Sequence, residues 1–183
     1  MEDKNGKLYI IAGCRNDAIQ FFEWSKGIIG TVVPQFNRLV ELEALKGTVM
    51  SMIVCDGLLY SGGDDSNICI VSIANPATPK IITYQKVNGR VSAMKHLKKS
   101  DKILIDDAIG LVKIYKANGF AEETWFALHK DVIVDVASIE DKNLFLVIDY
   151  RSFITSWQMS EQGAIWSATL KEIKMKDSTM NKP

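Results

Sequence analysis

The sequence predicts an all-β chain built from repeated four-stranded antiparallel sheets, and three observations predict it. The first is a repeat. Gly47-Thr48-Val49-Met50-Ser51-Met52, Gly89-Arg90-Val91-Ser92-Ala93-Met94 and Asp131-Val132-Ile133-Val134-Asp135-Val136 open alike. Val49, Val91 and Ile133 hold the same place in each, so both steps (49 to 91, 91 to 133) are 42 residues. The second is that each period contains two β-branched or aromatic runs joined by a Gly/Asp/Asn/Ser turn. The third is that no 3.6-residue apolar periodicity extends beyond two turns. A period of about 40–45 residues made of strand-type segments is that of a propeller blade. One blade cannot bury both faces of its sheet, so blades must stack around an axis. The expected architecture is therefore β-propeller blades over 7–46, 47–88, 89–130 and 131–171, about four in all and a partial propeller. A polar tail follows at 172–183.

The elements follow in order. The paired runs span 9–22, 58–71, 102–115 and 143–157, and close on the bulky residues Phe22, Val71, Tyr115 and Trp157. One further strand per period is expected at 39–42, 80–84, 124–128 and 164–170. Turn chemistry separates these: Asn75-Pro76-Ala77-Thr78-Pro79, Asn118-Gly119 and Glu161-Gln162-Gly163. The reading amounts to about fifteen short strands. The Lys-rich end is expected to fray.

Bulk properties narrow the function classes. With 22 Lys+Arg against 22 Asp+Glu the net charge is zero, so no global basic field calls for nucleic acid or an anionic membrane. The longest apolar runs, such as Met52-Ile53-Val54-Cys55, are too short to span a bilayer as a helix. Met1-Glu2-Asp3-Lys4-Asn5 lacks the basic and apolar regions of a signal peptide. Cys14, Cys55 and Cys69 show no metal-type spacing. Cys55 and Cys69 lie in strand-like runs and read as small core residues. A cytoplasmic, reduced location is expected.

The second repeat resembles a WD repeat. Its run Leu59-Tyr60-Ser61-Gly62-Gly63-Asp64-Asp65-Ser66-Asn67-Ile68-Cys69-Ile70-Val71 follows that family's small residue, Gly, acidic turn and alternating strand. In the family a buried Trp closes the third strand, an Asp sits in the preceding turn, a Ser lies in the second strand, and a His precedes the first. Together they form a hydrogen-bonded set. The resemblance assigns Ser61 and Asp65 to this set in the second repeat, where Val71 replaces the Trp. It assigns His129 and Trp157 in the fourth, where Val147 and Arg151 replace Ser and Asp. In the third it assigns Tyr115 as a Trp substitute, and in the first Asn16 and Phe22. No repeat holds all four residues at the family's positions, which marks a divergent member. The Gly-Gly and Arg15-Asn16 turns are similar to the echinoderm microtubule-associated-protein-like branch. The resemblance implies a non-enzymatic protein–protein interaction scaffold. A structural subunit of a cytoskeletal or ciliary assembly, or a scaffold in an RNA-processing or chromatin complex, are the alternatives.

By strand count the first blade lacks its innermost strand. Propellers use about four to eight blades, and three readings of the shortfall stand open: part of a larger protein, a ring closed by a second copy or another chain, or a small ring or arc. An arc exposes edges that invite association.

Catalytic chemistry is not expected. His129 reads as a structural blade residue. His96 reads as an exposed residue of a Lys95–Lys102 loop between strands. There is no nucleophile elbow and no metalloprotease helix. Gly62-Gly63 lacks the Lys and following helix of a phosphate loop and reads as a hairpin turn needing positive φ. Asp64-Asp65 and Asp106-Asp107 read as solvated turns, since hard cations want six or more oxygens. Asp64, Asp65 and Asp106 would fall on one rim and the Lys95–Lys102 loop on the other. Arg15, Arg38, Arg90 and Arg151 are scattered, so nucleic acid is not an expected partner. Trp125 and Trp166 read as packing residues and Trp24 as partly exposed. No catalytic residue, cofactor, metal, membrane or small-molecule substrate is expected. Other proteins are the expected partners, including a second copy or a chain that completes the propeller.

Overall fold

The computed structural model describes residues 1–2, 5–25, 35–127, 129–159 and 165–172. Among the described residues fifteen strands form four antiparallel sheets in chain order. The first sheet holds β1 (Leu8–Gly13), β2 (Ala18–Ser25) and β3 (Gln35–Glu43). The second holds β4 (Val49–Cys55), β5 (Leu58–Gly63), β6 (Asn67–Ser72) and β7 (Lys80–Lys86). The third holds β8 (Val91–Leu97), β9 (Lys102–Asp107), β10 (Leu111–Lys116) and β11 (Glu122–Ala127). The fourth holds β12 (Ile133–Ile139), β13 (Leu144–Asp149), β14 (Phe153–Met159) and β15 (Ile165–Glu172). One short 3-10 turn, Glu140–Lys142, precedes β13. Among the described residues no helix is long and apolar enough to cross a membrane. Among the described residues no full strand pairs with the free side of β1 in the first sheet. Residues 1–2 lie there: Tyr9 N–H donates to Met1 O at 2.8 Å, and Glu2 bridges Leu8.

The sheets are propeller blades because the two faces of a blade's inner strands serve two different cores. Side chains alternate across a strand with period 2. In β6, Cys69 and Val71 face the first blade beside Ile19, Phe21 and Leu59, while Ile68 and Ile70 face the third beside Val91 and Ile103. In β9 the pattern recurs: Ile103 and Ile105 face the second blade, and Leu104 faces the fourth beside Ile133 and Phe145. Three apolar cores thus join four blades. The first strands β4, β8 and β12 pack in succession. At the outer edge the demand disappears, and β7 is exposed along its whole length.

The repeat extends to backbone irregularities. The pairing slips between Val49 and Ser51, between Val91 and Ala93, and between Ile133 and Asp135. Each slip leaves one bulged residue, Met50, Ser92 or Val134, at the same place in its period.

Several expectations are corrected. β8 runs through Leu97 and β9 starts at Lys102, so the basic connection shrinks to 98–101, and His96 sits within a strand with its side chain only 14% exposed. Asp106 and Asp107 are not a solvated turn: they end β9 and are buried, so Asp106 does not join Asp64 and Asp65 on a rim. Gly62 and Gly63 also lie inside a strand, and the positive φ of that hairpin falls on Ser66. What they supply is close approach. A Cβ at Gly63 would meet Thr48 O at 1.9 Å, and one at Gly62 would meet Val91 at 2.7 Å. Trp125 is exposed, against the expectation of packing. Trp24 is half-buried. Trp166 lies outside the described side chains. Cys55 and Cys69 are buried core residues.

Candidate functional site

The fourth blade carries a continuous hydrogen-bonded chain. Trp157 Nε1–H donates to Thr155 Oγ1 at 2.9 Å. His129 Nε2 lies 2.9 Å from the same oxygen, and Nδ1 lies 2.7 Å from Asp149 Oδ2. Every donor is used if Thr155 donates to Nε2 and Nδ1–H donates to the carboxylate, a tautomer assigned from the network. The other carboxylate oxygen, Asp149 Oδ1, accepts the N–H groups of Arg151 at 2.9 Å and Phe153 at 3.0 Å, closing the β13–β14 turn. His129, Asp149 and Thr155 are all buried. The chain ties the connection before β12 to both β13 and β14.

His129 and Trp157 are therefore brought together, and the partners missing at positions 147 and 151 come from elsewhere. Thr155 is the cross-strand neighbour of Val147. Directly opposed residues share a face about 5 Å apart, so a hydroxyl from either strand reaches the imidazole. Asp149 stands two residues before Arg151, whose own Nε donates to Asp131 at 2.8 Å.

Among the described residues the second and third blades assemble no such chain. Ser61 Oγ donates to Cys69 O at 3.4 Å. Asp65 accepts Asn67 N–H at 3.1 Å and Lys46 N–H at 2.8 Å, apart from Ser61. Leu45 occupies the repeat position of His129. Tyr115 is buried, stacks on Phe120 at 4.5 Å, and donates to Glu122 at 3.2 Å. Burial and the Glu122 carboxylate push its phenol up from the ordinary value. Asp107 repeats the role of Asp149, accepting Ile109 and Leu111 N–H groups at 3.1 Å each. Val87 stands where a histidine would, and Asp107 Oδ2 has no hydrogen-bond partner. Beside it, Asp106 accepts the Ser92 hydroxyl at 2.5 Å, while its other oxygen is unpaired. Burial, and then the Asp107 charge, push Asp106 up to about 8 although the Ser92 bond opposes them.

Two further features were not anticipated. At the interface of the second and third blades, Cys55 Sγ, His96 Nε2 and an Asp101 carboxylate oxygen lie within 4.8 Å of one another. Cys55 ends β4, His96 is in β8, and Asp101 sits in the β8–β9 turn. Spacing in sequence could not reveal them, because the blades' stacking brings 55 beside 96. Burial, with Asp56 and Asp101 nearby, pushes the Cys55 thiol up to about 11. On the rim, a cleft of about 610 Å³ opens between the first and second blades. Among the described residues, Asp17, Glu43 and Asp65 line it against one cation, Lys46, with Tyr84 at its outer wall.

No protein-family model matches the sequence, and no curated protein matches it. The fold is matched by 1139 chains of solved structures, a breadth that identifies architecture and not role. One is a chain of the crystal structure of a mitotic checkpoint complex, with a TM-score of 0.67 and 14% identity. The match covers 88% of this chain and 50% of that one, so this chain spans half the length of the solved chain. It supports a WD-repeat-like propeller fold and does not bear on the microtubule-associated branch.

Proposed function

We propose that the chain is a non-enzymatic protein–protein interaction scaffold whose rim cleft between the first two blades takes a basic segment of a partner protein. The observation that carries the reading is the charge of that cleft: among the described residues, Asp17, Glu43 and Asp65 oppose Lys46. Its walls are turns and strand ends held by packed blades, the arrangement in which loops bind on a rigid support. Complementary charge gives such contacts orientation and rate. An acidic rim repels a phosphate backbone, which disfavours nucleic acid at this face. The matched solved chain belongs to a multi-protein complex, in keeping with a role in assembly. A cytoplasmic location is part of the same proposal and rests on three free cysteines.

The test is fluorescence anisotropy of a labelled Lys/Arg-rich peptide against the full chain, with an acidic peptide as control. The expected result is binding that weakens as salt rises and is lost in the double variant Asp17→Lys, Glu43→Lys. Equal binding of both peptides, or no change on charge reversal, would overturn it.

A further inference from the structure

We propose that Cys55, His96 and Asp101 form a site for one divalent cation of the zinc class, held across the interface between the second and third blades. Thiolate, imidazole and carboxylate are the three ligand types that zinc accepts together. His96 Nε2 lies 3.2 Å from Cys55 Sγ and 3.8 Å from Asp101 Oδ1. A tetrahedral ion with bonds of about 2.0–2.3 Å separates its ligand atoms by about 3.3–3.6 Å. These two spacings lie on either side of that range, and Cys55 Sγ lies within 4.8 Å of the Asp101 carboxylate oxygen, so rotation of the exposed Asp101 side chain would close the geometry.

The setting agrees. Two of the three ligands stand on strands, which hold them more tightly than loops do. The turn that carries Asp101 is anchored, because Ala117 N–H donates to Asp101 O at 2.9 Å. Cys55 is buried while the Asp101 side chain is 55% exposed, so an ion has a path in from the turn side. A thiol facing an imidazole at the edge of an apolar core costs desolvation that an aliphatic pair would avoid. Asp56 and Asp101 make the surroundings negative, which disfavours a thiolate alone but attracts a cation. A bound divalent ion then deprotonates the thiol outright. Three protein ligands leave a tetrahedral ion one further position, for water or a partner's side chain. Because the ligands come from two blades, binding would stabilise their stacking by mass action.

The experiment is titration of the reduced full chain with Co²⁺, followed through the thiolate-to-metal charge-transfer absorption, with Zn²⁺ as competitor. One ion per chain is expected, displaced by Zn²⁺. Cys55→Ala should abolish the band, and Cys14→Ser should leave it intact. Asp101→Asn suits the positive φ of 52° at that turn and should weaken affinity at least about tenfold. Absence of the band in the wild type, or a band unchanged in Cys55→Ala, would overturn the site. If Cys55→Ala does not fold, Asp101→Asn decides: unchanged affinity rejects the proposal.

Discussion

Replacing Asp106 by Asn should stabilise the protein, and more so as pH rises. Asp106 is fully buried, with one oxygen bonded to Ser92 and the other unpaired. Its folded-state value of about 8 lies above the ordinary 3.8. An acid whose folded value is raised keeps its proton longer in the folded state than in the unfolded chain. No penalty exists below pH 3.8; it accumulates as pH rises and is complete above about 8. Four units at 1.36 kcal/mol each set a ceiling of about 5 kcal/mol, and one unit, at pH 5, a penalty of about 1.5 kcal/mol. Asn keeps the shape and still accepts from Ser92, so a gain of about 2–4 kcal/mol at pH 8 is expected. The assay is urea unfolding of both proteins at pH 5 and pH 8. The wild type should lose stability between the two, and the variant should lose much less. A wild type whose stability is flat over that range, or a gain equal at both pH values, would refute the reasoning.

Two other perturbations probe the blade-tying network. His129→Ala leaves Asp149 Oδ2 buried without its donor and should cost about 2–3 kcal/mol in urea unfolding. With Thr155→Val added, the loss should fall short of the sum of the single effects. Val87→His offers the unpaired Asp107 oxygen a donor and should raise stability by about 1 kcal/mol. That gain should vanish in an Asp107→Asn background, and a thermal melt of the four proteins checks both statements.

The fold was legible because its cause is local. Period-2 alternation in runs such as Ile68 to Val71 and Ile103 to Ile105 sets which core each residue enters, and the 42-residue step repeats that assignment. The network was legible only in part. His129 and Trp157 stand at the family's positions, but Thr155 and Asp149 do not. Finding them required the β13–β14 register, which sets Thr155 opposite Val147. A cross-strand hydroxyl was the available signal. The buried Asp106 was misread because two adjacent acids before Ala108-Ile109-Gly110 have turn composition, and only strand length shows that the pair ends β9. The meeting of Cys55 and His96 was not legible at all, since it depends on how two blades stack.

Leu45, Val87 and His129 hold one repeat position and form a graded series in how the polar chain is satisfied. In the second blade Leu45 stands opposite Gly63, with its Cδ1 3.3 Å from where a Cβ would be, so neither imidazole nor carboxylate is present. In the third, Val87 offers no imidazole while Asp107 is present, and its second oxygen has no partner. In the fourth, His129 and Asp149 are both present and paired. Losing both partners removes a need along with its satisfaction, whereas losing one leaves a buried group uncompensated. The carboxylate at 107 is still useful there, because its other oxygen closes the β9–β10 turn. Blade cohesion therefore rests on the apolar cores that every blade keeps. Among the described residues the full polar chain is seen at the fourth blade, and the unpaired oxygens of Asp106 and Asp107 mark the third-blade acids as a place where substitution can recover stability.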